Sequence, residues 1–104
     1  MTYNGWTNYE TWAVNLWLGN DEDTYRMVTG WADECRKAAS QDRNVGSGIW
    51  TVEETARIRL ADRLKDYIEE ENPIGDQASV YVDLLNAAIS EVNWQEIAED
   101  FLKD

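Results

Sequence analysis

The sequence predicts an all-α fold, a bundle of four to five helices, and three observations predict it. Apolar residues recur at i, i+3, i+4 and i+7 through most of the chain. Residues suited to capping helix N-termini precede several of these stripes. Strand-like alternation is nearly absent, and one polar, glycine-bearing stretch interrupts the helical spacing. With 104 residues, the chain is long enough for one core and one domain.

The first helix opens at Thr7-Asn8-Tyr9-Glu10, which reads as a capping box with Thr7 as the cap and Glu10 reaching back. Tyr9, Trp12, Ala13, Leu16 and Trp17 then fall on one face, the expected buried stripe. Gly19-Asn20 is the expected stop, glycine accepting the left-handed conformation there. A second helix follows at once, capped by Asn20 or Asp21, with acids in its first turn where the helix dipole favours them. Its stripe is Tyr25, Val28, Ala32, Cys35 and Ala39. Residues 40–50 form the expected mobile loop.

Thr51-Val52-Glu53-Glu54 is a second capping box, and behind it Ala56, Leu60, Leu64, Tyr67 and Ile68 mark a long helix. Glu69-Glu70-Glu71-Asn72-Pro73 ends it, because proline pushes the preceding residue out of helical geometry. Three carboxylates in a last turn oppose the helix dipole, a placement that suggests use rather than packing. A fourth helix is expected from near Asp76, with Ala78, Tyr81, Val82, Leu85, Ala88, Ile89 and Val92 inward. Asn93 caps a fifth, whose stripe is Trp94, Ile97, Ala98, Phe101 and Leu102.

Charge narrows the function classes. Asp and Glu number 21 against 9 Lys and Arg, a net charge of −12 with no histidine. Residues 1–52 hold 7 acids and 4 bases, whereas residues 53–104 hold 14 and 5. Such a field repels nucleic acid and favours basic partners. Hydrophobic residues at 43% rule against a disordered acidic tail. The chain shows no run long and apolar enough for a membrane span and no signal-peptide pattern at its start, and its single cysteine, Cys35, suits a reducing compartment; the expectation is a cytoplasmic protein of a bacterial host.

Familiar catalytic and cofactor patterns do not fit. Asp21-Glu22-Asp23 lacks the glycine and distant glutamate of a calcium loop, and an acidic first turn explains it. Gly46-Ser47-Gly48 has neither the lysine nor the preceding strand of a phosphate loop. Cys35 has no histidine to activate it and reads as a small buried hydrophobe. No cofactor or metal is expected, and no catalytic residue is assigned.

Six tryptophans remain to be placed. Trp12, Trp17 and Trp94 lie on expected core stripes, and Trp6 and Trp50 precede expected caps. Trp31 lies off the main stripe of its helix, one turn after Met27, and is the candidate apolar anchor, the alternative being a second core contact. The acidic candidates are Asp62, Asp66, Glu69 and Glu70, at i, i+4, i+7 and i+8, with Glu71 beside them. Arg59 and Arg63 are expected to neutralise part of this strip through i, i+4 pairs. Glu91, Glu96, Glu99, Asp100 and Asp104 supply a later strip. Duplex DNA carries one charge per about 1.7 Å, so about 25 Å presents about 15. The C-terminal half, with 14 acids offset by 5 bases, supports a partial imitation of that track and not a dense one.

Two blocks add context. Trp6-Thr7-Asn8-Tyr9-Glu10-Thr11-Trp12, running through Val14, Leu16-Trp17 and Asn20-Asp21, and Val92-Asn93-Trp94-Gln95-Glu96-Ile97-Ala98-Glu99 resemble a family of small proteins of phages, plasmids and other mobile elements, a domain of unknown function. Asp83-Leu84-Leu85 matches it as well. The resemblance implies action against host machinery. With the charge, it leads to the expectation of a non-enzymatic acidic binding protein. Its partner would be the basic surface of a nucleic-acid-binding protein, such as a restriction or RNA-guided nuclease defence system. The alternative is an accessory module that self-associates, as a homodimer for example, or docks through an apolar face, its charge serving solubility. Both blocks also have a structural reading as helix caps that pack against each other.

Overall fold

The computed structural model describes residues 2–75 and 77–103 and is all-α. Its helices are α1 (Tyr9–Asn20), α2 (Glu22–Ser40), α3 (Arg43–Gly46), α4 (Val52–Glu70), α5 (Val80–Ser90) and α6 (Trp94–Leu102). Five are the expected long helices. The sixth, α3, is a single turn within the segment expected to be a loop, with Asp42 as its cap. The expected start of the fourth long helix at Asp76 lies outside the described residues; the helix begins at Val80 with Ser79 as cap.

The core is built by α2, α4 and α6, with α1 packed on α2 and α6. Val28, Ala32, Cys35 and Ala39 from α2 meet Ala56, Leu60, Ala61 and Leu64 from α4 and Ile97 and Ala98 from α6. The small residues of α2 let these axes approach closely, while Leu60, Leu64 and Ile97 fill the space between them. α5 is peripheral. Only Val82 of its residues is buried, and Val80, Tyr81 and Leu84 face outward. The Cα radius of gyration is 15.0 Å, above the roughly 13 Å of a compact chain of this length, as a peripheral helix requires.

Local chemistry sets most boundaries. Thr51 and Glu54 form the expected reciprocal capping box. Asp21 ends α1 and caps α2, accepting from the N–H groups of Asp23 and Thr24. α1 ends at Asn20, at the expected Gly19-Asn20 stop, but Gly19 is not left-handed and stays within the helix. The first cap also differs from expectation, being Asn8, whose side chain accepts from the Thr11 N–H. Ahead of it, Asn4 and Gly5 both adopt positive φ and fold the chain back, so that Tyr3 and Trp6 exchange two 2.8 Å backbone hydrogen bonds. Asn-Gly is the pair that tolerates such a turn. The turn seats Trp6 against the core and brings the Tyr3 ring edge-on to Tyr9 and tilted against Trp12.

The largest correction concerns α1. Its buried residues are Thr11 and Leu18, with Val14 packed against the core. Most of the expected stripe turns outward: Tyr9 is 55% exposed, Trp17 is 75% exposed, and Leu16 is also open to solvent. Tyr25 and Tyr81, expected inward, are exposed too.

Candidate functional site

The two sequence blocks meet through one polar network. Thr11, fully buried, donates its hydroxyl to Asn8 Oδ1 at 2.6 Å and accepts from the Asn93 backbone N–H at 2.9 Å. Asn8 Nδ2 donates to the Glu91 carbonyl at 2.6 Å, and the Thr7 N–H donates to Glu96 Oε1 at 3.0 Å. Asn93 caps α6 by accepting from the Glu96 N–H. Each helix start thus satisfies the other's orphan backbone groups. The blocks share a structural role, and Glu96 is engaged there rather than free on an acidic strip.

The acidic strip of α4 is placed by helical geometry. Leu60 and Leu64 fix the buried side, and Asp62, Asp66 and Glu69 lie a half-turn away, facing solvent. Glu70 and Glu71 are also exposed at the helix end, where no basic residue occupies the last turn. The expected neutralisation by Arg59 and Arg63 does not occur. Arg59 reaches Asp42 at 2.8 Å and Arg63 reaches Glu34 at 2.6 Å, tying α4 to neighbouring elements. Among the described residues none of Asp62, Asp66, Glu69, Glu70 and Glu71 enters an ion pair.

Trp31 is half-buried rather than a free surface ring. It packs on the core and meets the Tyr67 ring edge-on at 5.4 Å, while the Arg63 guanidinium covers it at 4.5 Å. The most exposed indole among the described residues is Trp17, with Trp50 exposed to a lesser degree.

At the C-terminal end of α4, on the side opposite the strip, the structure opens a trough that sequence reading missed. A groove of about 430 Å³ runs between α1 (Ala13, Val14), the end of α4 (Tyr67, Ile68) and α5 (Leu85, Ile89), with Glu10 and Glu71 at its rim. A second cleft of about 400 Å³ shares Ala13, Val14, Tyr67 and Ile68 and continues past Trp17 to Asp21. On the other side of α5, Glu69 and Glu70 line a third cleft with Asn72 and Asn86. Among the described residues, these three clefts carry five carboxylates and no cation in their linings. Three cations instead come together near the start of α4, where Arg36, Arg57 and Lys103 line one cavity with Glu53 and Glu99. The signal that could have located the trough is the double apolar face of α1: Val14 and Leu18 share the helix with Trp17 and Leu16, more apolar surface than one core contact consumes.

Asp42 is held below the usual carboxylate range, first by the Arg59 hydrogen bond and then by the Asn44 N–H. Burial raises the Cys35 thiol, opposed by the nearby Arg63 and Arg59 charges, so it stays protonated at neutral pH. Among the described residues no group of three or more His, Cys, Asp or Glu side chains is arranged to hold a metal ion. No helix among them is long and apolar enough to cross a membrane.

The model of a family of unknown function (DUF7249) matches residues 1–100. No curated protein and no solved structure matches the chain.

Proposed function

Because the chain belongs to that family of unknown function, which brings no activity with it, we propose from its geometry a non-enzymatic binding protein whose α4 face docks on the basic surface of a nucleic-acid-binding protein. The unpaired strip carries this reading. Asp62, Asp66, Glu69 and Glu70 span eight residue steps of α4, about 12 Å at about 1.5 Å per residue, a mean spacing of about 4 Å. One strand of duplex DNA presents a phosphate per about 3.4 Å. The strip therefore has the charge spacing of one strand and not of a duplex. Partial imitation of nucleic acid follows: the strip occupies part of a cationic groove and leaves the rest to other contacts. The resemblance of the two terminal blocks to proteins of phages and plasmids supports a host defence nuclease or restriction complex as the partner class.

Affinity capture from bacterial lysate tests the proposal, comparing the wild type with a triple Asp62→Ala, Asp66→Ala, Glu69→Ala variant. Three exposed charge pairs at about 0.5 kcal/mol each make about 1.5 kcal/mol, so the variant should bind roughly tenfold more weakly. The wild type should retain basic nucleic-acid-binding proteins that salt or duplex DNA releases. Retention of acidic or neutral proteins only, or capture indifferent to salt and to the variant, overturns it.

Exposed Trp17 and Tyr9 favour a second reading, an accessory module that self-associates through α1. Sedimentation separates the two, because a tight dimer lost in Trp17→Ala belongs only to the second.

A further inference from the structure

We infer that the trough between α1, α4 and α5 is a docking groove for a short amphipathic helix of the partner, one that presents apolar side chains flanked by lysine or arginine. This rests on the acidic-binding reading and specifies its partner's chemistry.

The trough has the shape of such a site. Its two contiguous clefts, sharing Ala13, Val14, Tyr67 and Ile68, follow α1 from Tyr9 to Leu18. Nine residue steps at about 1.5 Å make about 14 Å, the length of two to three helical turns. A partner helix in such a groove inserts side chains at i, i+3, i+4 and i+7. The floor is aliphatic and aromatic, and Trp17 stands at one end with 75% of its surface open, an indole placed where interface anchors are commonly found.

Charge selects the occupant. Glu10, Glu71 and Asp21 rim the trough, Glu69 and Glu70 lie across α5, and among the described residues no cation lines any of the three clefts. A second copy of this chain would bring its own net charge of −12 to this rim. An acidic or neutral helix would gain only the apolar contact. A helix with cationic flanks satisfies both, its apolar face in the trough and its charges on the rim. Of the unpaired carboxylates of α4, Glu69 and Glu70 line the neighbouring cleft across α5, whereas Asp62 and Asp66 lie on the side of the helix away from Tyr67 and Ile68.

Two labelled helical peptides test the inference by fluorescence anisotropy at physiological ionic strength. One carries leucines at i, i+3, i+4 and i+7 among lysines; the other keeps the lysines and replaces the leucines with glutamine. The leucine peptide should bind at least about tenfold more tightly. Trp17→Ala should remove most of that difference without altering thermal stability, since the ring is largely exposed. Ala13→Gln, which crowds the floor, should do the same, and Trp17→Ala stands alone if Ala13→Gln unfolds. Equal affinity for the two peptides overturns the groove and leaves the acidic reading standing. Binding of neither overturns both. A Trp17-dependent dimer that the leucine peptide fails to dissociate assigns the trough to a second copy and overturns the inference.

Discussion

Thr11 is the only buried polar residue among those described, and it has two tasks: its hydroxyl donates to Asn8 and accepts from the Asn93 N–H. Removing it leaves the Asn93 N–H without its acceptor, while Asn8 Oδ1 keeps the Thr11 N–H, and one unsatisfied buried group costs about 1–3 kcal/mol. Thr11→Val keeps the volume and loses the hydroxyl, so it should lower unfolding free energy by about 1–3 kcal/mol, the cost of one such group. Thr11→Ser keeps both bonds and should cost about 1 kcal/mol for one buried methyl. Urea denaturation distinguishes them; equal losses would show that packing and not the hydrogen bonds holds the terminal blocks together. The same site shows where residue-level reading succeeds and where it fails. Thr51 was legible as a cap because its partner, Glu54, is three residues away. At the first helix, Thr7 and Asn8 are both cap-competent neighbours. The choice is made by Glu96, 89 positions along the chain, which takes the Thr7 N–H and leaves Asn8 to cap.

At the scale of elements, helices with one apolar face were read correctly and helices with two were not. α2, α4 and α6 bury or half-bury the residues their spacing assigns, Tyr25 of α2 excepted, because each offers a single stripe against a charged remainder. α1 offers apolar residues on two faces and only one charged residue, Glu10, so propensity cannot rank the faces. Shape ranks them: Thr11, Val14 and Leu18 suit the close approach of α2 and α6, and the bulkier rings are left outside. The acidic face of α4 was legible for the same reason as its core stripe; the trough was not, since three separate elements build it. The α2–α4 connection was read as a bare loop, yet Asp42 organises it, capping α3 and pairing with Arg59 of α4. Because the Asp42 carboxyl is lowered in the folded state, its contribution is present above the ordinary carboxylate range and is lost as pH falls through the lowered value. Asp42→Asn retains a capping side chain and removes the charge. It should melt below the wild type at neutral pH, with the gap closing in acid. A gap that persists unchanged at low pH would assign the loss to the cap and not to the ion pair.

Across the whole molecule the carboxylates work against the fold while serving the proposed site. Four ion pairs among the described residues offset a net charge of −12, and the C-terminal end of α4 places glutamates against its own dipole. Docking on a cationic surface would relieve that repulsion, so screening should affect folding and binding in opposite directions. Raising ionic strength from about 0.01 M to about 0.15 M shortens the Debye length from about 30 Å to about 8 Å. The free protein should gain on the order of 1 kcal/mol, a rise in melting temperature of about 4–8 °C for a domain of this size. Affinity for the basic leucine peptide should fall over the same range. The triple Asp62→Ala, Asp66→Ala, Glu69→Ala variant should start with the higher melting temperature at low salt and gain less from added salt, because the repulsion is already reduced. A melting temperature that falls with salt would show that attractive pairs such as Arg63–Glu34 outweigh the repulsion. The carboxylates would then be stabilising in their own right, and their cost to the fold would no longer support a role in binding.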